Sequence, residues 1–207
     1  MIITYHGGEC FKIQTGDTVL AFNPVGKDSA WKPVKFGADI ALVTMHDPDF
    51  NGVENATYGE KEPFVLSGPG EYEVQGIFIK GFYTETTYKK KPKANTVYAL
   101  TFDDIRIVFL GALATPESLT SEIKAELGEI DILFAPIAGG EVLSPADAHK
   151  LSVALETRLL IPMHYDGNGA LGVLEKEAGE KAEVVDKLTL KRKDLEGKEG
   201  AIIALTI

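Results

Sequence analysis

The densest group of reactive side chains in the chain is Thr44-Met45-His46-Asp47-Pro48-Asp49-Phe50-Asn51-Gly52. His46, Asp47 and Asp49 offer an imidazole nitrogen and carboxylate oxygens, the donors that hold divalent metal ions. The same residues are strong turn formers, because Asp-Pro-Asp and Asn-Gly bend a chain whether or not a ligand is present. A second group, Ile161-Pro162-Met163-His164-Tyr165-Asp166, sets His164 and Asp166 side by side. A lone histidine after a buried strand serves equally well as a structural hydrogen-bonding residue. The chain has four histidines and one cysteine. One cysteine excludes an intramolecular disulfide and a Cys-rich zinc ribbon. A two-metal site would need nearly all of these five side chains to converge, with carboxylates completing it.

The elements that would position these groups follow from hydrophobic pattern and punctuation. Ile2–Tyr5, Phe11–Ile13 and Thr18–Phe22 read as strands, with Gly16-Asp17 as a hairpin turn. Asp39–Thr44 has no helical period and reads as a buried strand. The first reactive group therefore sits just past a strand's C-terminal end, where α/β folds place their sites. Phe64–Leu66, Tyr72–Val74, Ile77–Phe82, Thr96–Phe102 and Ile105–Leu110 are further strands, the last two joined by a tight turn at Asp103-Asp104. Thr115-Pro116-Glu117 carries a cap, an N-terminal proline and an acid, and predicts a helix to about Leu127. Ile130–Phe134 is the next strand. Ser144-Pro145-Ala146-Asp147 repeats the cap signature for a helix to about Glu156, which contains His149. Arg158–Ile161 is a short strand closed by Pro162, and it presents His164 at its end. Leu171–Ala178 is a helix ended by Gly179, and Val184–Leu190 and Ala201–Ile207 are two last strands. His6 ends the first strand beside Gly7-Gly8. Strands followed by alternating strands and helices predict a layered α/β sandwich with antiparallel or mixed sheets.

Of 207 residues, 31 are acidic and 21 basic, for a net charge of −10; hydrophobic residues make up 44% and charged ones 25%. This is globular composition, long enough for a sizeable core, and one domain spanning 1–207 is expected. The acidic balance argues against nucleic acid or an anionic membrane as a partner. The N-terminus lacks the basic and apolar regions of a signal peptide. No apolar run approaches the roughly 20 residues of a membrane span. A cytoplasmic location is the resulting expectation. Lys89–Lys93 (KKKPK) is the one charge run and reads as a solvated loop, with a local anion-binding patch as the alternative.

Several stretches then carry a resemblance. They are Ile3-Thr4-Tyr5-His6-Gly7, Cys10-Phe11-Lys12-Ile13, Asn23-Pro24, Ala41-Leu42-Val43-Thr44, Asn95-Thr96-Val97-Tyr98, Leu110-Gly111 and Ala135-Pro136-Ile137-Ala138-Gly139-Gly140. The most specific are Gly68-Pro69-Gly70-Glu71-Tyr72-Glu73-Val74 and Ile161-Pro162-Met163-His164-Tyr165. Together they resemble the metallo-β-lactamase-fold superfamily, and within it the UlaG-like group of zinc-dependent hydrolases. The resemblance implies a four-layer αβ/βα sandwich with a metal cleft at one edge between two sheets. It also implies a signature H-x-H-x-D-H after the strand ending at Thr44, whose residues hold zinc and activate a water.

The signature is broken in this chain. With Asp49 in register, the histidine positions fall on Met45, Asp47 and Phe50. His46 falls on an intervening position. No histidine lies in Thr84–Tyr88, where the group places its next ligand, and the bridging aspartate of its Leu-Gly-Asp motif is Ala112. His164 keeps the final position. Phenylalanine and alanine cannot ligate a metal, and Met is a poor zinc ligand. The candidate metal residues are therefore Asp49 and His164, with Asp47 and His46 as vestigial or weak substitutes, and catalytic residues are not assigned. The expected cofactor is none, with one divalent ion (Zn²⁺, Mn²⁺ or Mg²⁺) as the alternative. The leading expectation is a noncatalytic binding or assembly module. The alternative is a metal-dependent hydrolase of an ester, lactone or phosphoester bond with a remodelled mononuclear site. A homo-oligomer and an unidentified small-molecule ligand are the partners the resemblance allows.

Overall fold

A computed structural model describes residues 1–60, 62–167 and 169–207. Two mixed sheets face each other. The first contains β1 (Ile2–Tyr5), β2 (Phe11–Thr15), β3 (Thr18–Phe22), β4 (Ile40–Leu42), β5 (Phe64–Leu66) and β13 (Lys187–Thr189), in the order β13-β1-β2-β3-β4-β5. The second contains β6 (Gly70–Val74), β7 (Ile77–Tyr88), β8 (Lys91–Phe102), β9 (Ile105–Phe109), β10 (Ile132–Pro136), β11 (Leu159–Met163), β12 (Glu183–Val185) and β14 (Ala201–Leu205), in the order β12-β14-β11-β10-β9-β8-β7-β6. The pairs β3-β4-β5 and β9-β10-β11-β14-β12 are parallel, and the hairpin-connected strands are antiparallel.

β7 buries alternate side chains on one face, whereas β4, β10 and β11 are apolar throughout and buried on both. Between the sheets, Phe11, Phe22, Phe109 and Phe134 interlock; the Phe22 and Phe109 rings stack at 4.6 Å and Phe11 meets Phe134 edge-on at 4.8 Å. Each such ring contributes on the order of 2–3 kcal/mol by burial. On the outer face of the second sheet, α1 (Ser121–Leu127), α2 (Pro145–Ala154) and α3 (Gly169–Ala178) insert Leu127, Leu151 and Leu174 against Val97, Val108, Leu133 and Leu160. On the outer face of the first sheet, Ala21 and Ala41 meet Ala38, Ala56, Phe36 and Val53. These are the layers of the expected αβ/βα sandwich. The layer over the first sheet is loop with a single 3₁₀ turn, Val53–Asn55, and small alanines let that loop lie close.

Four local expectations need correction. The helix predicted from Thr115 is a 3₁₀ turn, Pro116–Ser118, then α1. Leu119 is buried in the helix-side core with extended dihedrals, which breaks the helix, and Thr120 is the actual cap, accepting from Ile123 N. Val184–Leu190 is not one strand: β12 and β13 lie in different sheets, because the chain crosses between layers at Asp186. Pro162 does not close β11 but pairs opposite Ala135. There β14, which pairs only with Leu159 and Leu160, no longer flanks the strand, so the proline is tolerated. Lastly, KKKPK is largely exposed, as expected, but is not a loop. Lys89 and Lys90 are the two-residue turn of a long β7–β8 hairpin, and Lys91–Lys93 begin β8. Pro92 fits because that stretch of β8 pairs with β7 alone, β9 joining only from Tyr98 onward.

Strand polarity sets the position of the site. The segments after β4, β9, β10 and β11, all C-terminal ends of parallel strands, come out at the same edge of the sandwich. The β7–β8 hairpin reaches over them.

Candidate functional site

Two backbone contacts fasten the loops at this edge. Gly52 N donates to Pro24 O (2.6 Å) and Gly26 N donates to Pro48 O (2.7 Å). A Cβ on Gly52 would lie 2.2 Å from Gly26 N, so only glycine lets the loops meet. Behind them, Asn23 is fully buried at a left-handed φ of 42°. Its side chain accepts from Thr44 N (2.8 Å) and donates to Thr44 Oγ1 and Glu9 Oε2 (both 2.9 Å). On the other sheet, Asn95 accepts from Ala112 N (3.0 Å) and donates to Leu110 O (2.9 Å). A Cβ on Gly111 would lie 2.4 Å from Asn95 Oδ1. Two buried asparagines thus hold the segments on which the superfamily resemblance sets its ligands.

Those positions do come together, with altered chemistry. Met45, Phe50 and Ala112 are buried with Tyr88 and Val142 in one apolar cluster. Phe50 meets Tyr88 edge-on at 5.1 Å. Beside this cluster lie Asp47 and Asp49, 7% and 3% exposed. Asp49 accepts from Ser29 Oγ at Oδ1 (2.5 Å) and from Tyr88 OH at Oδ2 (2.8 Å). Lys89 Nζ lies 2.7 Å from Asp47 Oδ1 and 2.8 Å from Asp49 Oδ2. Lys93 Nζ is 3.7 Å from Asp47 Oδ2 and donates to His46 O (2.9 Å). Burial alone would raise the Asp49 carboxyl, but the bonds from Lys89, Ser29 and Tyr88 outweigh it and hold the group below the usual carboxylate range. Lys89 is correspondingly raised, since its two carboxylate partners outweigh its own desolvation. Burial and the Asp49 charge push the Tyr88 phenol far up, so its proton stays on.

His164 belongs to a different network. It follows β11 at a left-handed φ of 53°, with its N–H donating to Gly8 O (2.7 Å). Its Nδ1 lies 2.8 Å from Oε1 of Glu9, a fully buried carboxyl that also accepts from Asn23. Burial raises the Glu9 carboxyl, and the contacts to His164 and Asn23 offset part of that. The His164 ring faces Tyr88 (5.8 Å), Phe50 (6.0 Å) and Trp31 (6.3 Å). Tyr88 therefore stands between the Asp49 and His164 systems, touching both. Ser29, which also accepts from Trp31 N (2.9 Å), ties the Trp31 loop to Asp49.

Of the four sequence candidates, Asp47 and Asp49 are brought together by Lys89, and His164 is paired with Glu9. His46 points outward and is exposed, its Nδ1 3.3 Å from Asn51 Nδ2. His6 stacks on Phe36 at 5.0 Å, and burial lowers its pKa. Among the described residues, no three His, Cys, Asp or Glu side chains form a group that could hold a metal ion. Sequence reasoning missed Glu9, Ser29, Trp31, Tyr88 and Lys89. A signal for Tyr88 existed: Thr84, Thr86 and Tyr88 alternate with the exposed Tyr83, Glu85 and Thr87, which extends β7 six residues past Phe82.

The family model of a β-lactamase superfamily domain matches residues 2–164. A UPF0173 metal-dependent hydrolase of Listeria monocytogenes is 24% identical over 204 residues, covering 80% of this chain and 86% of its own. A UPF0173 protein of Pyrococcus abyssi is 24% identical over 192 residues, covering 82% and 85%. Among solved structures, a Zn-dependent hydrolase of the metallo-β-lactamase superfamily from Thermotoga maritima superposes with a TM-score of 0.78 at 24% identity, over 99% of both chains. Two facing mixed sheets, loops gathered at their common edge, and a domain match over residues 2–164 lead to one conclusion: the chain belongs to the metallo-β-lactamase superfamily.

Proposed function

We propose that this chain is a metal-free member of its superfamily, working as a noncatalytic binding or assembly module. One observation carries the reading: Met45, Phe50 and Ala112, which the resemblance aligns with metal ligands, are packed as a single buried apolar cluster. They come from two stretches of the chain, 45–50 and 112, and none of the three side chains carries an oxygen or nitrogen, so no rotamer change restores a donor set. The residues present do not fit a metal ion. The thioether is a weak donor for zinc, the phenyl and methyl groups are none, and a Lys89 ammonium already faces both carboxylates. His164 directs Nδ1 at Glu9 rather than at Asp49. Cytoplasmic location, and a small molecule or a second copy of the chain as partner, complete the reading.

The relatives' names, metal-dependent hydrolases, favour a second reading. In it the chain would hydrolyse an ester, lactone or phosphoester bond using one metal held by Asp47, Asp49 and His164, with His46 on a re-registered loop. Elemental analysis separates the two. Protein expressed with added Zn²⁺ or Mn²⁺ is expected to carry well under one metal per chain. A full equivalent that disappears in His164→Ala would overturn the metal-free reading and favour the hydrolase.

A further inference from the structure

Two buried carboxylates in one cleft, Asp47 and Asp49, need a cation, because burying like charges together without one pushes a proton onto one of them. Lys89 supplies it. Its ammonium reaches Asp47 Oδ1 at 2.7 Å and Asp49 Oδ2 at 2.8 Å, while its stem passes the Tyr88 ring, with Nζ 5.4 Å from the ring centre. The placement is built from the backbone up. Lys89 and Lys90 both adopt left-handed dihedrals, φ 51° and 60°, in a turn where Asn-Gly would be the relaxed choice. Glu141, from the segment after β10, holds that turn by accepting from Lys89 N (2.7 Å) and Lys90 N (2.9 Å). The hairpin is thereby tied to the opposite side of the site, and the ammonium is delivered between the carboxylates. A lysine serving only solubility would need none of these restraints.

We propose that the Lys89 ammonium is the resident cation of this cleft, supplying between Asp47 and Asp49 the positive charge that a divalent ion supplies in a metal-dependent relative. The inference rests on the metal-free reading and deepens it: the site has exchanged an exchangeable ion for a covalently tethered one. Ser29 and Tyr88 then complete the Asp49 shell with a hydroxyl each. The same serine accepts from Trp31 N, whose ring meets His164 edge-on at 6.3 Å.

The test is thermal unfolding of the full chain in metal-free buffer, as a double-mutant cycle. Lys89→Met is expected to melt roughly 3–6 °C below wild type for a chain of this size. Asp49→Asn is also lower. Lys89→Met/Asp49→Asn is expected to melt no lower than Lys89→Met, because the charge left bare has gone too. Lys89→Arg, which keeps the charge, should recover part of the loss. A Lys89→Met that melts with wild type, or single losses that simply add, would overturn the inference. Should Lys89→Met fail to fold, the double variant becomes the readout: folded supports the proposal, unfolded refutes it. Stoichiometric metal on wild type would sink the metal-free reading itself. A metal-free wild type with additive losses sinks only the role of Lys89.

Discussion

Two corners of one cleft are held together in opposite ways. In the apolar corner, Met45, Phe50 and Ala112 have no donors left to satisfy, and the space is filled with side chains. In the polar corner, Asp47, Asp49, Glu9 and Asn23 are buried, and every one of them has a partner supplied from another segment. The first is stabilised by removing apolar surface from water, which is tolerant of detail. The second is stabilised only while its partners stay in place, because an unpaired buried polar group costs more than the bond contributed. Packing in this cleft should therefore fail gradually, and charge pairing should fail in coupled steps.

The largest effect is expected in the apolar corner. Phe50→Ala leaves a cavity beneath Tyr88 and His164 and should lower unfolding free energy by about 3–5 kcal/mol in a urea titration. Phe50→Leu, which keeps most of the volume, should lose less than half as much. Equal losses for both would mean that the aromatic faces, not the filling of space, hold this corner.

Asp49→Asn probes the polar corner and should lower stability by about 2 kcal/mol at neutral pH. The pH dependence follows from linkage. The Asp49 carboxyl is held below its ordinary 3.8 in the folded chain. Its contribution is therefore fully present above that value and is lost as pH falls through the lower, folded one. The gap in Tm between wild type and Asp49→Asn should stay constant from neutral pH down to the ordinary carboxylate range and close only in stronger acid. A gap that closes well above the ordinary carboxylate range would show that a group other than Asp49 is titrating.

The smallest effect is expected at the boundary. Tyr88→Phe removes the hydroxyl that donates to Asp49 (2.8 Å) and keeps the ring against Phe50 and His164. A loss of about 1 kcal/mol is expected by chemical denaturation. A loss as large as that of Phe50→Ala would show that the two corners are one cooperative unit.

Most strands were legible from apolar alternation and glycine punctuation, and the cap at Ser144 was read correctly, its Oγ accepting from Asp147 N at 3.1 Å. The helix predicted from Thr115 was not, because burial of Leu119 overrode a good local cap signal. At the site, the resemblance singled out Asp49 and His164, and both lie buried or half-buried at the common edge of the sheets. Glu9 and Ser29 were not legible, since their partners lie 155 and 20 residues away, beyond any local pattern. The lysine run is largely exposed, as read, but the reach of Lys89 and Lys93 to Asp47 and Asp49 was not legible, because charge density says nothing about which carboxylates a hairpin will meet.

By itself the sequence determined the layered architecture and which side chains stand at the edge of the sandwich. Residue type decides whether a position can donate to a metal at all, so Met45, Phe50 and Ala112 needed no coordinates. Only the tertiary structure decided which charges meet there. Whether Lys89 meets water or two buried carboxylates depends on the length of β7 and β8, on a left-handed turn and on the reach of Glu141 from another segment. Those are sums of distant contacts, and the electrostatic worth of a charge is set by the burial and partners they create.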